Sequence, residues 1–340
     1  MGEQRIFEII RAANWLTTTN IKHDDSVVLL TTTTVDQAVV EGFQTAATAV
    51  GADVTKIVIP PRTDARAPFS PVVSAAVLAS DVVLNCTLTS DQAVTYGFSE
   101  TIVEFVRSGG RHLKIYTDID GFTGPLTSVY QDPAEFESMR ETVRKYTTAL
   151  TDAASIRFIT DAGTDIEGSI DGRVGRPSYG IAAEQYNHTA FPTGEVDIDP
   201  VTGSTNGTAV INASMGKVGQ IVEPIELTVT DGQLTAIDGG REARKLETVL
   251  GDTDSSRRNF AEFGLGMNPF ARIVGRKNVD KKVLGSGHIA LGDSHAFKML
   301  TGSYDRSGGV SASTHVDGIM REVTVELDGK VVIEHGELQP

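Results

Sequence analysis

Strand-like and helix-like patterns alternate over roughly the first 150 residues, which restricts the fold to a few α/β architectures. Strand-like runs rich in β-branched residues cover 26–34, 53–60, 81–88 and 112–118. Helix-like runs separate them at 35–52, 68–80 and 98–110. Nearly continuous apolar strands are typical of parallel sheets that helices cover on both faces. The alternation therefore predicts an open, doubly wound, mostly parallel sheet.

The pattern changes near residue 155, after a helix predicted over 132–153. Glycine and aspartate become frequent, helical periodicity weakens, and short β runs follow one another. Asp-Gly pairs at 231–232 and 328–329 lie between alternating runs, which predicts two tight hairpins. We therefore predict an α/β sheet domain over 1–155 and a mostly-β α+β domain over 156–340.

Composition excludes several classes of protein. The 340 residues are 40% hydrophobic and carry a formal net charge of −15. No basic stripe could neutralise phosphates, so nucleic acid is not an expected partner. No apolar run is long enough for a membrane span, and the N-terminal residues predict an amphipathic helix instead of a signal peptide. The single cysteine, Cys86, is predicted to be a buried thiol in a cytoplasmic protein.

Nucleotide cofactors are not expected either. Neither a GxGxxG nor a GxxxxGK[ST] pattern follows the first predicted strand, and these are the glycine-rich loops that cradle phosphates. Thr31 to Thr34 lie at the carboxyl end of that strand, where ligands of open sheets bind. Four threonines are also ordinary strand and loop residues, and we assign them no ligand.

Acids and histidines in four short segments of the second half form the candidate site. The segments are FPTGEVDIDP (191–200), FAEFGLGMNP (260–269), GSGHIALGD (285–293) and STHVDG (313–318). They contain Glu195, Glu262, His288, His315 and Asp317. Two glutamates, two histidines and an aspartate are enough to hold one or two divalent metal ions. The chain is predicted to be a metalloenzyme if the segments converge in space.

Each residue alone also has a simpler interpretation. His315 and Asp317 would share one face of a strand, but they also fit a surface loop. His288, in an apolar and glycine-rich segment, could be a hydrogen-bonded core histidine. Glu262 lies among apolar residues, where a carboxylate is costly to bury without a partner or a metal. Glu195 follows a turn and could be a solvated acid.

As an ordered set, the segments resemble the M29 metallopeptidase family, the aminopeptidase T type. The matching motifs are PTGEV, EFGLG, HIALG and THVDG, and ITDAGTDIEGSI (159–170) is similar to an upstream segment of that family. The resemblance covers about 155–325 and implies a homodimer with a pair of zinc, cobalt or manganese ions. It implies the metal ligands Glu195, Glu262, His288, His315 and Asp317. Glu262 would bridge the metals, and a metal-bound water would be the nucleophile.

The family has a tyrosine seven residues after the histidine of the third segment, where this chain has His295. An imidazole titrates near neutral pH, so His295 is predicted to move a proton, although a polar loop residue is an equal alternative. With Glu262 and His295 as the predicted catalytic residues, the resemblance implies a hydrolase of a small amide or short peptide.

The same superfamily includes the 2,5-dihydroxypyridine 5,6-dioxygenases, to which the chain is similar in fold and in its H-x-D segment. Those enzymes use a single Fe(II) held by two histidines and one carboxylate. In them a histidine replaces Glu262 and the position of Glu195 lacks a carboxylate, and this difference favours the hydrolase. A ring-cleaving dioxygenase of a hydroxylated pyridine-type aromatic is the alternative, with His288, His315 and Asp317 as ligands. A sheet protein with a structural metal, or none, is the third.

Overall fold

A computed structural model describes residues 2–61, 68–88, 99–117, 133–182, 187–294 and 309–340. These residues form two compact units. The first contains the described residues of Met1–Ser138 and Ser178–Thr193, and the second contains those of Met139–Pro177, Gly194–Lys298 and Ser303–Pro340. The predicted domain bounds, 1–155 and 156–340, stay a prediction.

The first unit is built on a five-stranded parallel sheet. Its strands are β1 (Ser26–Thr31), β2 (Asp53–Val58), β3 (Val82–Leu88), β4 (Arg111–Tyr116) and β8 (His188–Phe191), in the order β2-β1-β3-β4-β8. Its helices are α1 (Gly2–Asn20), α2 (Gln37–Ala49), α3 (Pro71–Leu78) and α4 (Glu100–Arg107). All four strand pairings are parallel. The predicted α/β sheet is therefore confirmed.

Local sequence explains most of these elements. The side chains of Asp36, Ser70 and Ser99 accept hydrogen bonds from first-turn N–H groups and so begin α2, α3 and α4. Consecutive residues of β1, including Leu29 and Leu30, are fully buried, as expected when both faces of a sheet are covered. Strand β8 was not predicted, because its four residues, HTAF, form no long apolar run.

The second unit contains an eight-stranded antiparallel sheet in the order β14-β13-β10-β6-β5-β18-β19-β20. Its strands are β5 (Ser155–Ile159), β6 (Asp165–Ser169), β10 (Asn206–Ile211), β13 (Ile225–Thr230), β14 (Gln233–Asp238), β18 (Thr324–Leu327), β19 (Lys330–Glu334) and β20 (Glu337–Leu338). Both predicted hairpins are present, β13–β14 and β18–β19. The Asp and Gly of each turn have positive φ, 48° and 72° in the first and 51° and 75° in the second. This is the backbone of a two-residue turn of the type that Asp-Gly favours.

A seven-stranded sheet completes the second unit, in the order β12-β11-β17-β16-β15-β9-β7. Its strands are β7 (Arg176–Ser178), β9 (Glu195–Ile198), β11 (Ser214–Met215), β12 (Gly219–Gln220), β15 (Phe260–Gly266), β16 (Gly287–Gly292) and β17 (His315–Met320). The helices are α5 (Pro133–Asp152), α6 (Arg241–Leu250) and α7 (Lys277–Asp280), with a 3₁₀ turn at Ser255–Arg258. The mostly-β prediction for this part of the chain is confirmed.

The core of the second unit includes contacts between its two sheets. Phe158 of β5 meets Phe263 of β15 edge to face, with ring centroids 5.1 Å apart. Because side chains alternate along a strand, Glu262 and Gly264 point to the opposite face of the seven-stranded sheet from Phe263. No helix in the described ranges is long and apolar enough to cross a membrane.

Candidate metal centre

The five predicted metal ligands lie on four adjacent strands of the seven-stranded sheet. Gly264 of β15 is opposite His288 of β16, and Ala290 of β16 is opposite both Glu262 and Asp317. On the other side of β15, Gly266 is opposite Glu195 of β9. Since alternate residues share a face, this register puts one group of side chains on one face. The group is Glu195, Glu262, His288, His315 and Asp317.

Glu262, His288 and Asp317 form a compact and buried set of donors. Each offers one ligand atom, and these atoms lie within 4.8 Å of one another. His288 Nε2 is 3.1 Å from Glu262 Oε1. His315 Nε2 lies 3.8 Å from Glu262 Oε2 and 3.6 Å from Asp317 Oδ1. Four predicted ligands therefore come close enough together to share one metal ion.

Glu195 lies at the edge of this set and is held by lysines. Its Oε2 is 4.0 Å from His288 Nε2, a longer separation than the His288–Glu262 contact. Its Oε1 pairs with Lys282, and its Oε2 is 3.3 Å from Lys281 Nζ. Lys281 Nζ is also 3.3 Å from Asp317 Oδ1. The role of Glu195 as a metal ligand stays a prediction.

Sequence patterns did not indicate these two lysines or the buried Arg176. The lysines follow α7 in NVDKKVLG (278–285), where adjacent charges are typical of a solvated turn. Arg176 of β7 forms ion pairs with three acids. It pairs with Asp197, its Nη1 is 2.8 Å from Asp199 Oδ1, and its Nη2 is 3.4 Å from Glu262 Oε2. A charged residue within an apolar stretch would have indicated a buried charge. Arg176 lies in GRVGRPS (172–178), which is not an apolar stretch, so the sequence gives no such indication.

Backbone features fix both imidazoles. A Cβ at Gly264 would overlap Cε1 and Nε2 of His288, so only glycine leaves room for that ring. Nδ1 of His315 donates a hydrogen bond to the carbonyl oxygen of Asp293 at 2.7 Å. Because a carbonyl only accepts, this bond puts a proton on Nδ1 and points Nε2, the atom that would bind a metal, toward the site.

Neighbouring charges keep the three acids of the site ionised. Burial alone would raise the pKa of each carboxyl group. For Glu262, the hydrogen bond from His288 and the charge of His315 outweigh burial and lower the pKa. Lys277 and Lys281 bring the pKa of Asp317 well below its usual value, and Lys281 and Lys282 lower that of Glu195 to about 2. All three are therefore anionic oxygen donors at neutral pH.

Two other groups shift in the opposite direction. Burial, with the nearby charges of Glu262 and Glu195, raises the pKa of Asp197 to about 8 against the effect of Arg176. The pKa of His315 also rises, because Asp317 and Glu262 outweigh its burial. The predicted proton-transfer residue, His295, lies outside the described residues, so its role stays a prediction.

This donor set fits a divalent metal ion. It combines imidazole nitrogens with carboxylate oxygens, and Glu262, His288 and Asp317 are all buried. Imidazole suits iron, zinc and copper, and carboxylate suits manganese and the harder ions, so a mixed set admits iron, zinc, cobalt or manganese. Glu262, His288, His315 and Asp317 are the residues that would hold such an ion.

Comparison with known proteins agrees with the resemblance predicted from the four segments. A structure of 2,5-dihydroxypyridine dioxygenase from Pseudomonas putida KT2440 matches with a TM-score of 0.77 and 20% identity, over 100% of this chain and 98% of its own. Wild-type AmpT from Thermus thermophilus matches with a TM-score of 0.72 and 16% identity, over 98% and 99%. Both share the fold of this chain. No curated protein sequence matches it.

A family model described as NicX, 2,5-dihydroxypyridine 5,6-dioxygenase, matches residues 9–340. This range includes the four segments that carry the candidate ligands and nearly all of the chain. The predicted relationship to the 2,5-dihydroxypyridine 5,6-dioxygenases is thereby confirmed, and AmpT shares the fold. The chain belongs to the 2,5-dihydroxypyridine 5,6-dioxygenase family.

Proposed function

We propose that the protein is a metal-dependent dioxygenase that opens the ring of a hydroxylated pyridine-type aromatic. The observation that carries the proposal is a set of two histidines and one aspartate on adjacent strands, His288, His315 and Asp317. Two histidines and one carboxylate are the usual ligands of Fe(II) in oxygenases that lack haem. The family match supports the same reaction. The hydrolase favoured by the sequence analysis becomes the second candidate.

The protein groups have separable roles in this proposal. His288, His315 and Asp317 would hold Fe(II), and Glu262, whose Oε1 is 3.1 Å from His288 Nε2, would place a further negative charge beside the ion. When bound, the iron supplies the one-electron chemistry that oxygen needs to react with an aromatic ring. His315 is the most open of these residues, with 22% of its side chain exposed, so substrate would approach beside it.

Lys277 is placed to recognise the substrate. It pairs with Asp317, and 17% of its side chain is exposed, so it borders the more open side of the site. An ammonium group there would attract an ionised ring hydroxyl or carboxylate and orient the ring beside the metal. We therefore propose an anionic aromatic substrate.

Hydrolysis of an amide or short peptide is the second candidate, and one observation favours it. The two oxygens of Glu262 face different imidazoles, Oε1 toward His288 and Oε2 toward His315. A carboxylate in this position can bridge two metal ions, which is how paired-metal hydrolases hold a water between metals. Zinc, cobalt or manganese would be the expected ions.

One comparison tests the two reactions side by side. Protein purified without oxygen would be loaded with Fe(II), and oxygen uptake would be followed with 2,5-dihydroxypyridine and related hydroxylated pyridines. The same preparation loaded with zinc, cobalt or manganese would be offered aminoacyl anilides and short peptides. We expect oxygen uptake only with iron, and its loss in His315→Ala but not in His335→Ala, which changes a surface histidine. Amide cleavage without oxygen uptake would contradict the dioxygenase.

A further inference from the structure

We propose that His112 and His188 form a pH-sensitive switch, which holds the edge strand β8 on β4 at neutral pH and releases it in acid. His188 begins β8 and is opposite His112 of β4, and the Nδ1 atoms of the two rings are 2.9 Å apart. Strand β8 has four residues and one neighbour in the described sheet, β4. A side-chain bond between these two strands therefore matters more than one in the middle of the sheet. The switch does not depend on the proposed reaction.

The hydrogen bonds around this pair run in one direction. The backbone N–H of Thr87 donates to Asn85 Oδ1 at 3.2 Å, and the Thr87 hydroxyl donates to the same oxygen at 2.6 Å. A backbone N–H cannot accept, so it fixes which end of the Asn85 amide carries the oxygen. The amide nitrogen therefore donates to His112 Nε2, 3.2 Å away. Because this Nε2 accepts, the proton of neutral His112 is on Nδ1, which donates to Nδ1 of His188.

Neither ring can take up a second proton without losing one of these bonds. A proton on Nε2 of His112 would face the N–H of Asn85, and a proton on Nδ1 of His188 would face the N–H of His112. The chain cannot reverse its direction, because the backbone of Thr87 fixes the Asn85 amide. Two donors that face each other in a buried place leave both unsatisfied, which is costly. Both rings therefore stay neutral while β8 is in place.

The surroundings of His112 give an added proton no stabilising charge. Its side chain is fully buried, and β3 (VVLNCTL) contains no charged residue. Helix α4 packs against β4 with apolar residues, and its Glu100, Glu104 and Arg107 are exposed. Lys114, two residues along β4, is a buried cation. Burial and the charge of Lys114 lower the pKa of His112 to about 3.

The sign of the pH dependence follows from this lowered pKa. With β8 in place, His112 takes up a proton only near pH 3, whereas an exposed imidazole does so near pH 6.5. Between these two values, the open form, in which β8 has left β4, binds one more proton than the closed form. Each unit by which the pH falls below about 6.5 should therefore favour opening by about tenfold. Near neutral pH the two forms bind the same number of protons, and β8 stays in place.

Hydrogen exchange followed by mass spectrometry tests the switch in the full chain between pH 5 and 7, after correction for the intrinsic pH dependence of exchange. We expect the protection of the β8 amides to fall about tenfold per pH unit below about 6.5, and that of the interior strand β1 to fall less. His112→Gln is the informative variant, because glutamine can accept from Asn85 and donate to His188 but does not titrate. Its β8 protection should be independent of pH. His23→Gln, at an exposed histidine, is the matched control and should behave like the wild type.

Nuclear magnetic resonance of the imidazole nitrogens in the wild-type protein at pH 5 gives a second test, which requires no variant to fold. We expect a neutral His112 with its proton on Nδ1. Three results would overturn the proposal: a protonated His112 at pH 5, a neutral ring with its proton on Nε2, or β8 protection that depends on pH in His112→Gln as it does in the wild type.

Discussion

Gly264 and His288 are directly opposite each other on β15 and β16, and the imidazole of His288 fills the space that a side chain at residue 264 would need. The glycine therefore does more than permit a backbone conformation. It lets a buried imidazole pack against the neighbouring strand, where its Nε2 is 3.1 Å from Glu262 Oε1. The geometry of the metal-donor set therefore depends on Gly264, which is not itself a ligand.

Replacing Gly264 by alanine should displace His288 and weaken metal binding by at least about tenfold, the loss typical when a group that orients a ligand is removed. Calorimetric titration with zinc or cobalt would measure it. Gly168→Ala is the control, because its Cβ would crowd Thr205 at 2.9 Å without touching His288. The control should lose stability but keep its metal affinity. Equal affinity in Gly264→Ala and the wild type would show that His288 is not a ligand.

Glu262→Gln should release the metal and abolish activity. The amide keeps the shape of the side chain but removes the charge that both His288 and His315 face. Metal affinity should fall by about a hundredfold or more, since even the partners of ligands cost about ten- to a hundredfold. Glu226→Gln, exposed on β13, serves as the control. Unchanged metal content and turnover in Glu262→Gln would remove Glu262 from the site.

Arg176→Leu should destabilise the protein by about 3–5 kcal/mol, because the buried carboxylates of Asp197, Asp199 and Glu262 would lose a shared counter-charge. Urea unfolding of the metal-free protein would measure this. Arg157→Leu, which breaks an exposed pair with Asp165, should cost less than about 1 kcal/mol. A similar small cost for both variants would mean that the Arg176 network contributes little.

Cys86 should be inert to alkylation in the folded protein. It lies on β3 with no exposed surface, and burial raises the pKa of its thiol. The reactive thiolate is therefore not populated even near pH 9, where an exposed cysteine is about half ionised. Iodoacetamide should modify the residue only after unfolding in guanidinium. Rapid modification of the native protein would show that β3 opens.

Local patterns were sufficient to predict much of the fold. Continuous apolar runs predict the parallel strands β1, β3 and β4, and Asp231 and Asp328 begin turns that the glycines after them complete. The placement of β8 beside β4 could not be predicted, because it pairs His188 with His112 across a long stretch of chain. Such pairing depends on tertiary packing, which local periodicity does not reveal.

In the candidate site too, some residues could be predicted from local sequence and others could not. Glu262, His288 and Asp317 could be predicted as site residues because a charged or imidazole side chain within a buried strand is costly unless it has a partner or a metal. Lys281, Lys282 and Arg176 could not be predicted as site residues, because they pair with carboxylates that are distant in sequence. Lys281 reaches Asp317 across 36 positions, and Arg176 reaches Glu262 across 86.

The most direct test of the buried metal centre is its metal content in protein purified without oxygen or chelators. Mass spectrometry should find about one divalent ion per chain in the wild type, and almost none in Asp317→Asn, which keeps the shape of that buried side chain. Asp161→Asn, an exposed substitution, should match the wild type. Two ions per chain, or full metal content in Asp317→Asn, would contradict a single site built on β15, β16 and β17.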